Sequence, residues 1–262
     1  MNEFLYRYNS NIYRIEEVFD IRLDRIISES LDDFVELLSK DNIFEEKPIQ
    51  KPLISRIKIF FANLISEVRR FFKELQVKFQ ETFRGVYYGR MIHKMAEDID
   101  KAKSQGKTKV EMKDFETLAK EYKNMHSELS KYTKKFVKMK YKYTTNISED
   151  LYKFEKLCDE YEEKLDKIQD KTIVVPIDKA KEFVDKEISG RTEILLTMNQ
   201  LISDLDMMSF VAQETANRRE FLGSDILKEH VGAIRSMSTK FVKFTKKFTV
   251  KCIVWNVLRF AD

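Results

Sequence analysis

The chain has 262 residues, 35% of them charged, 12% aromatic with 20 Phe, and a formal net charge of only +4. It holds 6 Gly and 3 Pro, far below ordinary usage of about 7% and 5%, so turns are few and folds built from many short strands are excluded. Ample Phe, Leu and Ile beside that charge exclude simple disorder, because enough apolar surface exists to offset chain entropy.

Residues 1–47 lack both Gly and Pro and read as helix, with Tyr8, Ile12, Ile15, Phe19, Leu23, Ile26, Phe34 and Leu38 near helical spacing. Ser30, followed by Asp32 and Asp33, is an expected N-cap splitting that helix. From Glu16 to Glu46 there are eleven acids against three bases, which makes this an acidic N-terminal segment.

Pro48 and Pro52 mark the first loop. From Leu53 onward Ile57, Phe61, Leu64, Val68, Phe71 and Leu75 recur at spacings of four and three, while Ile54, Phe60, Ile65, Phe72, Phe79 and Phe83 widen the seam. A face so broad predicts several helical neighbours. Gly85 and Gly89 interrupt it, and the spacing fits a kink and a break equally well.

A helical hairpin turning near Gly106 is expected, with Thr108 and Glu111 forming a capping box for the next helix. That helix carries nine consecutive seam positions from Phe115 to Tyr143, and the pattern restarts at Ile147 one residue out of phase. Such an offset is a stutter in one helix, about 90 Å long to Ile168, or a turn near Asn146.

Thr172 to Pro176 is β-branched and reads as extended. A helix follows to about Phe221, with Ile194, Met198, Leu201, Leu205, Met208 and Ala212 on its seam. Ser224 and Asp225 cap the last helix, whose end from Phe248 to Val257 is β-branched enough to be a strand instead. The predicted fold is all-α, an elongated bundle of long amphipathic helices with coiled-coil-like hairpins, divided into an acidic segment 1–47, a hairpin region 53–170 and C-terminal helices 176–262 with a basic tail.

Chemistry is sought without success. Gly106-Lys107-Thr108 imitates a phosphate-binding loop, but Lys101 stands where the motif needs glycine. His93, His126 and His230 lack a Glu three residues earlier, as a di-metal bundle requires. Cys158 and Cys252 have no CxxC spacing and no neighbouring histidine. Neither catalysis, metal, cofactor nor small-molecule substrate is inferred, and a non-enzymatic protein is expected.

Two basic stretches remain. Lys131, Lys134, Lys135, Lys138, Lys140 and Lys142 lie in a run without acids, interleaved with Tyr132 and Phe136. From Val231 to Ala261 there are five lysines, Lys240, Lys243, Lys246, Lys247 and Lys251, with two arginines and no acid. These stretches are candidates for nonspecific polyanion binding, such as nucleic acid. With Phe241, Phe248 and Trp255 the second is also a candidate membrane-surface helix. The third reading is pairing with acids of this chain, for which residues 16–46 and 149–170 are available.

No run approaches the length of a membrane span, and the N-terminus has no secretory leader, so a cytoplasmic or virion location is expected. The Lys-, Phe- and Glu-rich texture, with the segment Val175-Pro176-Ile177-Asp178-Lys179 through Glu187-Ile188-Ser189-Gly190-Arg191, resembles helical internal or structural proteins of large tailed bacteriophages. The resemblance implies a virion component that assembles with itself or with other helical proteins, its basic stretches lying near packaged DNA.

Overall fold

The computed structural model describes residues 2–40, 50–84, 86–138, 147–169, 171–217, 225–254 and 258–261. They form an all-α protein: α1 (Asn2–Lys40), α2 (Gln50–Arg84), α3 (Val86–Ser104), α4 (Phe115–Lys138), α5 (Ile147–Gln169), α6 (Ala180–Asn217) and α7 (Asp225–Ile253). Three short strands, β1 (Lys109–Lys113), β2 (Thr172–Pro176) and β3 (Arg259–Ala261), make one antiparallel sheet in the order β2-β1-β3.

Six of the helices stack as two layers of three. One layer is α5, α7 and α1, the other α4, α6 and α2, and each helix also packs on its counterpart opposite. The cross-layer pairs run antiparallel. Phe19 of α1 meets Phe71 of α2 with ring centroids 4.4 Å apart, Tyr132 of α4 meets Phe154 of α5 at 5.6 Å, and Arg191 at the start of α6 reaches Val254 just beyond α7.

Helices with neighbours on three sides need apolar residues around a wide arc. Accordingly α6 buries Ile194, Met198, Leu201, Leu205, Met208 and Ala212, and α7 buries Met237, Phe241, Phe244 and Phe248. The predicted wide seam of α2 is likewise buried from Leu53 to Leu75, and α2 contacts α1, α3 and α6. The side chains of Phe34, Leu38, Phe79 and Phe83 lie outside the described residues.

Several expectations are corrected. Helix α1 passes through Ser30 without a break, since no proline there removes a backbone donor and no glycine loosens the chain. Pro52 lies in the first turn of α2, where a missing N–H breaks no helical bond. Of the two readings left open, one helix about 90 Å long and a turn near Asn146, the packing rules out the single rod: α4 and α5 lie side by side, with the Tyr132 hydroxyl donating to Asp150 O at 3.0 Å and Lys164 meeting Glu121 at 2.9 Å.

The helix stop near Gly106 is found, but neither the helical hairpin nor the capping box after it is: α3 packs on α2 and α6 rather than along α4. Gly106, at φ 83, closes α3 with Lys107 N–H bonded to Ala102 O and Gly106 N–H bonded to Lys103 O, both at 3.0 Å. Thr108 and Glu111 then belong to strand rather than helix: in β1 the Val110 and Met112 side chains are buried while Lys109 and Lys113 are exposed. The period-two alternation wins because β2 and β3 are there to pair with it. The true cap is Asp114, whose carboxylate accepts from Thr117 N–H at 3.2 Å.

At the other end Phe248 to Ile253 is helical despite its β-branched residues, and only Arg259–Ala261 is strand. Burial between neighbouring helices overrides a propensity worth under about 1 kcal/mol per residue. The sheet therefore sits at one end of the layers, joining the α3–α4 link, the α5–α6 link and the segment after α7.

Candidate interaction surfaces

Helix α7 is the middle helix of its layer, so only a narrow stripe faces outward, and that stripe is where its lysines lie. On one side α1 runs antiparallel and brings Glu16, Asp20 and Asp24. On the other α5 runs parallel and brings Asp159, Glu162 and Asp166. Lys246 bonds both Glu16 and Asp20 at 2.9 Å, Lys247 bonds Glu162 at 2.9 Å and Asp166 at 3.1 Å, and Lys243 stands 3.6 Å from Asp24. Lys240 pairs with Asp159 and Lys251 with Asp166.

The five C-terminal lysines proposed as an anion-binding surface are thus engaged by acids of their own chain. Burial works to lower the pKa of Lys246, yet its bonds to Glu16 and Asp20 outweigh that and the net shift is upward. Asp166 is the mirror case: burial pushes its pKa up, and the bonds from Lys251 and Lys247 bring it below the ordinary value. Phe241 and Phe248, proposed as membrane-facing, are 0% exposed. They point inward, Phe241 against His126 at 5.0 Å and Phe248 against Phe244 at 5.2 Å. Trp255 lies outside the described residues.

The other basic run stands differently. Lys134 reaches Asp204 at 3.6 Å, but Lys131 and Lys135 are exposed on α4 and form no ion pair with a described residue. The side chain of Lys138, and all of Lys140 and Lys142, lie outside the described residues.

A line of buried polar groups threads the contact between α4, α6 and α7. Arg191 is fully buried, donates to Val254 O at 3.0 Å and lies 5.0 Å from the Phe115 ring. Gly190 makes this approach feasible, since a Cβ there would come within 3.1 Å of Phe115. Farther along, the Tyr122 hydroxyl pairs with Thr249 Oγ1 at 2.9 Å, and Gln200 donates to Asp204 at 2.9 Å and to Ser130 at 3.2 Å. Sequence reading placed Tyr122 on the α4 seam but passed over the other groups, though Arg191 continues the Ile194–Met198–Leu201 seam backward at a spacing of three. A charged residue at a seam position was the available signal.

Both cysteines are buried and free, and burial pushes each thiol up to about 12, so they fill space rather than act as nucleophiles. Of the histidines, His93 lies 3.0 Å from Glu97, while His126 and His230 are buried. Among the described residues no three metal-ligating side chains converge, and no helix is long and apolar enough to cross a membrane.

Burial separates the lysine pairs energetically. Lys246 keeps only 11% of its side chain exposed and Lys243 keeps 50%. Lys246→Ala is expected to cost about 2 kcal/mol in urea unfolding, because it strands two partly enclosed carboxylates. Lys243→Ala is expected to cost under about 1 kcal/mol, and equal costs would contradict the difference in burial.

His126 yields a pH prediction. Burial, aided by the charge of Lys134, lowers its pKa to about 4 from 6.5, so the folded chain holds it neutral. Between those values the unfolded chain takes up a proton that the folded chain refuses. Stability therefore falls as pH drops from 6.5 toward 4, by about 3 kcal/mol at most. Asp204, whose pKa burial raises, works in the opposite sense at the acid end. The measurement is the difference between wild type and His126→Phe in urea titrations at pH 7 and pH 4.5; parallel losses in the two proteins would refute it.

No protein-family model, no curated protein and no solved structure matches the chain at a significant level.

Proposed function

We propose that the chain is a non-enzymatic structural or interaction protein, an elongated helical bundle that assembles through its helix faces with copies of itself or other helical proteins. The observation that carries this reading is the outer stripe of α6. Leu196 and Phe210 stand 61% and 63% exposed there, each seven residues from Ser203. No Lys or Arg occurs from Thr192 to Asn217, in a chain where 48 of 262 residues are basic. Lysine is depleted from the cores of protein interfaces and aromatic side chains are enriched, and the missing lysines and exposed Phe210 of this stripe suit contact better than solvent.

Dimensions support the elongated form. Helices of 39, 35 and 38 residues, α1, α2 and α6, extend roughly 52 to 58 Å, beyond the roughly 47 Å diameter of a compact globule of this length. The accessible surface of 14739 Å² likewise exceeds the roughly 12,000 Å² of such a globule. The resemblance to internal and structural proteins of large tailed phages supplies the setting: a virion component. In analytical ultracentrifugation the chain is expected to sediment at a multiple of its own mass, and the double variant Leu196→Ser, Phe210→Ser as a monomer. A wild-type compact monomer would remove the proposal.

A second reading rests on Lys131 and Lys135, whose charge no described acid takes up. They suit weak polyanion binding without sequence preference, and the engaged lysines of α7 do not enter. In filter binding of duplex DNA over a salt series, Lys131→Gln with Lys135→Gln is expected to reduce the slope of log affinity against log salt by about 2. An unchanged slope excludes these two lysines.

A further inference from the structure

Strand β2 lies at an edge of the sheet, with β1 on one side of it only. In an antiparallel pair, residues that exchange backbone bonds alternate with residues that do not. Ile177 N–H donates to Thr108 O at 2.9 Å and Asp114 N–H to Lys171 O at 3.0 Å, and these bonds frame the register from Lys109↔Pro176 to Lys113↔Thr172. Ile173 and Val175 therefore turn their backbone groups toward β1. Thr172, Val174 and Pro176 turn theirs away, and the outward N–H and C=O of Thr172 and Val174 take no partner among the described residues.

Edge strands are ordinarily guarded by charge, by a bulge or by proline. From Thr172 to Ile177 there is no charged residue, and the register with β1 runs without a bulge. Thr172, Val174 and Pro176 share the exposed face, Val174 at 63%. Pro176 removes only the last outward N–H. The opposite edge, β3, is three residues long and carries Arg259.

A second copy of the same strand fits the groups that remain. Set antiparallel about a two-fold axis at Val174, the symmetry commonest in homo-oligomers, each Val174 N–H meets the C=O of the other Val174. Each Thr172 N–H meets the C=O of Pro176 in the second copy. Every outward N–H is then used, and proline stands where only an acceptor is wanted. An axis at Val175 would halve the bonds, because Val174 C=O would face the missing N–H of Pro176. The axis at Val174 also brings the two exposed valines face to face.

We propose that β2 pairs edge to edge with β2 of a second copy, antiparallel about Val174, joining two three-stranded sheets into one of six. Two five-residue strands bury well under the roughly 1,200 Å² of a stable complex. The contact alone is therefore weak, with a dissociation constant of about 0.2 mM, and becomes a lasting link where another contact already holds copies together. It uses no residue of the α6 stripe. Tested in the Leu196→Ser, Phe210→Ser background, which still sediments as a monomer at micromolar concentration, it succeeds or fails apart from the helix-face contact.

The test is read on the amides of Thr172 and Val174 in that full-length double variant as its concentration rises from about 0.02 to 1 mM. Their exchange with solvent is expected to slow by about threefold, while Ile173 and Val175, already bonded to β1, stay unchanged. Adding Val174→Lys, which sets two ammonium groups face to face and leaves the bonds to β1 alone, should remove the dependence. Adding Val174→Cys should give cross-linked dimers under glutathione disulfide at least fivefold faster than adding Lys109→Cys. The first pair stands about 5.5 Å apart at Cα, the second about 14 Å across three strand spacings. The exchange measurement needs no change in the strand, so it decides even where a variant fails to fold. Exchange at Thr172 and Val174 that ignores concentration, a dependence that survives Val174→Lys, or equal cross-linking at the two positions would each overturn the proposal.

Discussion

The structure depends on what is asked of a helix that lies between two others and beneath a third. Helices α6 and α7 occupy that position, and each can show solvent only a strip about one residue wide per turn. Everything else on them must be apolar or bonded. The two helices solve the strip differently. On α7 it is lysine, held by acids from both flanks. On α6 beyond Arg191 it is Leu196 and Phe210 among Asn199, Ser203, Asp206 and Glu214, with nothing basic.

This constraint also accounts for the buried polar groups. Three helices meeting along a common line leave enclosed positions away from solvent, and Tyr122, Ser130, Asp204, Thr249 and Arg191 fill such positions. Tyr122 to Thr249 and Gln200 to Ser130 join different helices, Arg191 ties α6 to the residue just beyond α7, and Gln200 to Asp204 lies within α6. Such bonds add little net stability, about 1 kcal/mol each, yet sliding α4 by a turn would leave Tyr122 to Thr249 and Gln200 to Ser130 unmade, and sliding α6 would leave Arg191 to Val254 unmade. They fix the alignment that apolar contact alone leaves loose.

How much of this was legible depended on whether the deciding partner lay nearby in sequence. Helix positions and their inward faces were readable from spacing alone, because Leu201, Leu205 and Met208 announce their face whatever lies opposite. The Gly106 stop was readable for the same reason. The reading failed where a distant segment decided. Thr108 and Glu111 resemble a cap, and only the strands at 172–176 and 259–261 make them sheet. Lys240 to Lys251 look like a free basic patch until α1 and α5 bring their acids alongside. Arg191 was the exception: its seam position could have been noticed.

The small sheet has a consequence for the order in which the molecule is built. Helix pairs such as α4 with α5 need only their own residues and can associate as soon as both have emerged from the ribosome. Strand β1 must wait, because its middle place requires Thr172–Pro176 on one side and Arg259–Ala261 on the other, the latter roughly 150 residues downstream, a separation that slows closure. Until then Val110 and Met112 have no lid. The last pairing to form is therefore a clasp across the ends of five helices, α3 to α7, and whatever opens that clasp loosens all five ends together.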